Sequence, residues 1–131
     1  MIGLDTNVLV RYLAQDDARQ SAQATRLIES LDAQNPGFVS LVALVELVWV
    51  LESAYAASHD VVHDTLEGLL RSKELLVEQP ATVARALRMF AAGHRDFADC
   101  LLACTCTAAG CGTVYSFDKA AIRKAGMTPV P

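Results

Sequence analysis

Four short apolar runs alternate with longer stretches of helical spacing, and this alternation limits the folds open to the chain. The runs are residues 2–4, 38–40, 75–78 and 113–116. After the first, Val8, Leu9, Tyr12 and Leu13 recur at helical spacing within residues 6–15. A second helix is expected over about 17–31, with Ala22, Ala24, Leu27, Ile28 and Leu31 turned inward. Asn35-Pro36-Gly37 is a turn signal. Ser40 is placed to cap a long helix reaching about residue 55, and Ser58 to cap another ending near residue 72. Pro80 suits the first turn of a helix. Asp96 opens a further helix to about residue 109, where Gly110-Cys111-Gly112 breaks it. Residues 119–124 predict a short helix and 128–130 an edge strand. Strands separated by helices require crossover connections. The expected class is therefore α/β, a three-layer α/β/α sandwich with a mainly parallel central sheet. In such sheets ligands bind beyond the carboxyl ends of the strands.

Composition narrows the function classes. The chain has 131 residues, 53% hydrophobic and 20% charged, which suits one ordered domain over 1–131 and excludes a disordered chain. The richest apolar stretch, residues 41–51, falls short of the ~18 residues of a membrane span and contains Glu46. Met1-Ile2-Gly3-Leu4-Asp5 lacks the basic start of a secretory leader, so a soluble cytoplasmic protein with no membrane contact is expected. Eleven basic against fifteen acidic residues leave a net charge of -4, which argues against a protein that coats nucleic acid. An enzyme that meets nucleic acid through bound cations stays open, because two divalent ions would cancel that charge. Cys100, Cys104, Cys106 and Cys111 contain no C-x2-C pair, so they read as core-filling residues rather than a zinc site.

The candidate chemistry lies in acids near the expected strand ends. Asp5 follows the first strand and Asp118 the fourth. Glu46 sits about two turns into the helix after the second strand, and Asp96 and Asp99 open the helix that leads to the fourth. Asp5, Asp96 and Asp118 also suit helix caps, and Asp99 suits a first turn. Glu46 resists such a reading. Its helix is apolar nearly all round and is expected to be mostly buried. A buried carboxylate costs several kcal/mol unless an arginine or a cation compensates it. Carboxylates ~5 Å apart repel by roughly 3 kcal/mol per pair at an effective dielectric of about 20. Oxygen ligands without a His or Cys shell favour Mg2+ or Mn2+ over zinc, and such ions serve phosphate chemistry.

Four stretches carry a family resemblance. They are Leu4-Asp5-Thr6-Asn7-Val8-Leu9-Val10-Arg11-Tyr12-Leu13, Val39-Ser40-Leu41-Val42-Ala43-Leu44-Val45-Glu46-Leu47, Asp96-Phe97-Ala98-Asp99-Cys100-Leu101-Leu102-Ala103 and Ser116-Phe117-Asp118-Lys119. In this order they resemble the PIN-domain ribonucleases, specifically the VapC-type toxins of toxin–antitoxin systems. The resemblance covers essentially the whole chain. It implies that Asp5, Glu46, Asp99 and Asp118 are the acidic quartet, with Asp96 an additional acid at the same helix start. Ser116 replaces the usual threonine before the last acid. Thr6, Asn7 and Ser116 would hydrogen-bond the carboxylates or metal-bound waters. The implied activity is hydrolysis of RNA phosphodiesters with one or two Mg2+ or Mn2+ ions, leaving a 5′-phosphate. A cognate antitoxin and a second copy of the chain are the implied protein partners. Arg11, Arg95 and Lys119, each close in sequence to an acid, are candidates for the RNA backbone.

Three other readings compete. His59-Asp60-Val61-Val62-His63 imitates a zinc-protease helix, but an Asp replaces the general-base Glu, and the surrounding acids predict a solvated face. A receiver-type phosphoacceptor domain would need an Asp at the end of a middle strand, where Ser40 and Glu78 stand. A catalytically silent PIN-like binding module is the remaining alternative.

Overall fold

In the computed structural model, which describes residues 1–93 and 96–131, the elements follow the expected alternation. They gather into two compact units, Met1–Pro80 and Ala81–Pro131. Among the described residues, no helix is long and apolar enough to cross a membrane.

The first unit contains β1 (Ile2–Gly3), α1 (Thr6–Ala14), α2 (Ala18–Glu29), β2 (Gly37–Val39), α3 (Leu41–Ala54), α4 (His59–Arg71) and β3 (Leu75–Val77). The strands form a parallel sheet in the order β1-β2-β3, with Ile2 opposite Gly37 and Val39 opposite Val77. Parallel strands put their carboxyl ends at one edge. Asp5, Ser40 and Glu78 follow β1, β2 and β3 at that edge. The middle strand β2 thus runs into a serine, not the aspartate a receiver domain requires. A Cβ on Gly37 would come within 2.7 Å of Leu4 Cδ1 and 3.0 Å of Leu31 Cδ1, so a side chain there would force those two leucines to shift.

Caps fix the helix starts. Asp17, Ser40 and Ser58 accept from the backbone N–H groups of Gln20, Ala43 and Val61. The start of α3 receives a second cap, since Glu78 Oε1 accepts from Leu41 N at 2.8 Å. In α2 the buried stripe is Ser21, Ala24 and Ile28, while Ala22 and Leu27, expected inward, are exposed. Ser21 is buried at little cost because its hydroxyl lies 3.4 Å from the Asp17 N–H at the helix start.

α3 corrects a larger expectation. Only one stripe of it is buried: Ala43, Leu44, Leu47, Val48 and Leu51. Val42 and Trp49 are 71% and 69% exposed, and Glu46, on the same face at helical spacing, is exposed with them. On α4, His63 lies 3.1 Å from Asp64 and 3.9 Å from Glu67, and Arg71 pairs with Glu67 at 3.1 Å. This is the solvated charged face expected of the two-histidine segment.

The second unit takes most of α5 (Pro80–Ala91), then α6 (Phe97–Ala108), β4 (Tyr115–Ser116), α7 (Lys119–Lys124) and β5 (Thr128–Pro129). β4 and β5 pair in parallel, Tyr115 opposite Thr128. Phe90 meets Phe97 edge to face, centroids 5.8 Å apart. Ala103, Ala121, Ala125 and Met127 form a small core flanked by Met89, Val114 and Ile122. Cys100 and Cys104 are buried, with Cys104 Sγ 3.4 Å from Met89 Sδ. Burial, helped by Cys104 and the nearby Asp96 and Asp99, pushes the Cys100 thiol up to about 11. Burial raises Cys104 as well. Both stay protonated at neutral pH and pack as apolar side chains.

Candidate active site

In the first unit, Asp5, Thr6, Asn7, Arg11 and Glu46 line one hollow of about 340 Å³, with Val10, Val50, Ala54 and Tyr55 completing its wall. Asp5 reaches it from the end of β1. Its backbone is extended and its Oδ1 accepts from the Thr6 N–H at 2.9 Å. Among the described residues its other oxygen has no hydrogen bond. Glu46 reaches the hollow from the exposed face of α3. The expectation of a buried, compensated Glu46 is therefore wrong: it is exposed, and no ion pair joins it to a basic group among the described residues. What singles it out is that it lines the same hollow as Asp5, forty-one positions away in sequence.

Thr6 is 7% exposed, and its Oγ1 is a buried polar atom without a hydrogen-bond partner among the described residues. Such an orphan costs about 1–3 kcal/mol unless a water or a bound group satisfies it. The expected bond from Thr6 to a carboxylate is absent there, as is one from the exposed Asn7.

In the second unit, Asp96 caps α6 by accepting from the Asp99 N–H at 3.1 Å. Asp118 caps α7, its Oδ1 accepting from Ala120 N at 2.8 Å and Ala121 N at 3.1 Å. Ser116 Oγ accepts from the Asp118 N–H at 2.9 Å, so it orders the backbone of the acid rather than its carboxylate. The capping reading of Asp96 and Asp118 is thus true, yet each cap uses one oxygen of two. Capping does not account for Asp99, whose side chain has no hydrogen bond among the described residues. Its carboxyl is held above the ordinary range by burial, then by the charges of Asp96 and Asp118. Three acids of the second unit therefore feel one another.

Among the described residues, no three Asp, Glu, His or Cys side chains lie close enough together to hold a metal ion. The donor chemistry nonetheless fits a hard divalent cation. Each unit taken by itself offers carboxylate oxygens: in the first, Asp5 and Glu46 line the hollow that holds the orphaned Thr6 hydroxyl; in the second, burial and then the charges of Asp96 and Asp118 load Asp99. Of the candidates for the RNA backbone, Arg11 lines the hollow, Lys119 is exposed at the start of α7, and Arg95 lies outside the described residues. The sequence marked Glu78 only as the end of a strand; its bond to Leu41 spans thirty-seven positions and no local pattern signals it.

The family model of the PIN domain matches residues 2–127. The chain belongs to the PIN domain family. This PIN domain has the α/β class that the alternation of strands and helices predicts, and every strand pairing described is parallel. The family match spans all four stretches on which the resemblance rests. A protein named VapC ribonuclease from Aquifex aeolicus (strain VF5) is 24% identical to this PIN domain over 116 residues, covering 88% of this chain and 86% of that one. The resemblance to VapC-type proteins is thus met by a relative aligned over most of both chains. No solved structure matches this PIN domain.

Proposed function

We propose that this PIN domain is a metal-dependent endoribonuclease and the toxin of a toxin–antitoxin pair. Asp5, Glu46, Asp99 and Asp118 carry the activity in this reading, and Asp96 is a further ligand for Mg2+ or Mn2+. The observation that carries it is the meeting of Asp5, Glu46, Arg11 and the unpartnered Thr6 hydroxyl in one hollow of the first unit; in the second unit burial, then the charges of Asp96 and Asp118, raise the Asp99 carboxyl. The VapC ribonuclease relative supports the choice of RNA, and the antitoxin partner follows from the resemblance to the VapC-type toxins.

When bound, one or two such ions acidify a water and neutralise phosphate oxygens. The chain's own residues supply the rest. The caps made by Asp5, Asp96 and Asp118 fix each carboxylate with one oxygen and leave the other available. Ser116 holds the backbone of Asp118 in register, and the Thr6 hydroxyl offers a buried donor beside Asp5. Cleavage leaves a 3′-hydroxyl and a 5′-phosphate. A second copy of the chain belongs to the same proposal, and the exposed Val42 and Trp49 of α3 give it apolar surface to cover.

The test is to map RNA ends in cells after induction of the wild type and of Glu46→Gln. New 5′-phosphate ends in the wild type alone support the proposal. Identical profiles overturn it. Co-expression with the neighbouring small open reading frame should relieve growth inhibition, and a chain that is harmless alone is not a toxin.

A further inference from the structure

Arg11 stands on the wall of two hollows. One holds Asp5 and Glu46. The other, about 280 Å³, lies between α1 and α2 and is lined by Gln20, Gln23 and Leu27 among others, with Asn7 and Arg11 common to both. Side chains from beyond α1 hold the guanidinium there. Arg11 Nε donates to Gln20 Oε1 at 2.7 Å, and a terminal nitrogen lies 3.5 Å from Asp16 Oδ1. The Tyr55 hydroxyl donates to the other oxygen of Asp16 at 2.7 Å. Asp16 is therefore shared between Arg11 and the residue that ends α3.

Stability does not explain this arrangement. The Arg11 and Asp16 side chains are 34% and 45% exposed, and such pairs contribute little in water. Ordering several long side chains also costs rotamer freedom. What the contacts achieve is aim. Nε and one terminal nitrogen are held by Gln20 and Asp16, and a planar, permanently charged fork suits a phosphate diester. Tyr55 remains a donor over the working pH range, since its bond to Asp16 pushes the phenol above its ordinary value.

We propose that Asp16, Tyr55 and Gln20 are positioning residues, which hold Arg11 to bind a phosphate of the RNA strand entering the Asp5–Glu46 hollow. This rests on the ribonuclease reading above. It also separates positioning from charge. Asp16→Asn removes a negative charge, which by plain electrostatics tightens RNA binding, whereas loss of the brace weakens it. Tyr55→Phe changes no charge and keeps the ring.

The experiment measures binding of a labelled single-stranded RNA of mixed sequence to the full chain by fluorescence anisotropy, in EDTA and across a salt series. Cleavage of the same RNA is followed with Mg2+. Arg11→Gln should weaken binding about tenfold and flatten the log–log salt slope by about 0.7, the contribution of one phosphate. Asp16→Asn and Tyr55→Phe should each weaken binding about threefold or more. Thermal unfolding should show all three folded, since the groups lie at the surface. If the wild type binds and cuts RNA but Asp16→Asn binds as well or better, or Tyr55→Phe is unchanged, the brace is overturned and the ribonuclease reading stands. Weaker antitoxin binding with RNA binding intact assigns this face to a protein and overturns the proposal. A wild type that neither binds nor cuts RNA overturns both readings.

Discussion

The carboxylate of Asp96 accepts the backbone N–H of Asp99 at 3.1 Å, so the residue that starts α6 also presses its charge on the next acid of the helix. The two aspartates are thereby divided in role. Asp96 spends an oxygen on the helix start, while the Asp99 carboxyl is loaded by burial and by Asp96 and Asp118.

The raised carboxyl of Asp99 has a definite sign in stability. The folded chain holds the Asp99 proton more tightly than the unfolded chain does. Stability is therefore lost as pH rises from the ordinary carboxyl value through the raised one. Asp99→Asn should raise the thermal midpoint at pH 7, modestly because water screens the site. The gain should vanish under acid conditions where the wild type is protonated. Thermal scans against pH, without divalent ions, check this; a gain that persists in acid contradicts it.

Divalent ions should reverse that load. Mg2+ or Mn2+ at about a hundred times its dissociation constant stabilises a single-site protein by roughly 2.7 kcal/mol. The wild type should show a rise in midpoint of this kind, and Asp99→Asn should show little. Chelator should abolish RNA cleavage and either ion restore it. Cleavage that continues in EDTA would point away from carboxylate-held metal.

Asp5→Asn keeps an oxygen for the Thr6 N–H and removes the charge. The fold should survive, with circular dichroism unchanged, while RNA cleavage falls by more than the roughly 10–100-fold typical when a residue that merely orients a ligand is lost. Cleavage at the wild-type rate would refute a ligand role for Asp5.

Ser40→Ala should cost about 1 kcal/mol through loss of the α3 cap. That corresponds to a midpoint lower by about 4 °C in a domain of this size. Glu78 continues to hold the Leu41 N–H, so the helix should remain. Glu78→Gln, which keeps an acceptor, should cost less than Ser40→Ala in the same denaturation assay.

What the residues determine by themselves is local. Ser40, Ser58, Asp96 and Asp118 cap the helices their positions predict, because a cap is an exchange between a side chain and an N–H group two or three residues on. Pro80 starts a helix for an equally local reason. The alternation of strands and helices dictates parallel pairing, since the intervening helices return the chain to the same end of the sheet. Tertiary structure alone decided which side of α3 is covered. A helix apolar nearly all round has no polar stripe to mark its outer face, and the neighbours packed on Leu44, Leu47 and Leu51 left Val42, Glu46 and Trp49 in solvent. It also decided that Glu46 shares a hollow with Asp5, and that Asp16 is shared by Arg11 and Tyr55. Those contacts join residues far apart in sequence, where no periodicity reaches, and they exist only once the chain has folded back on itself.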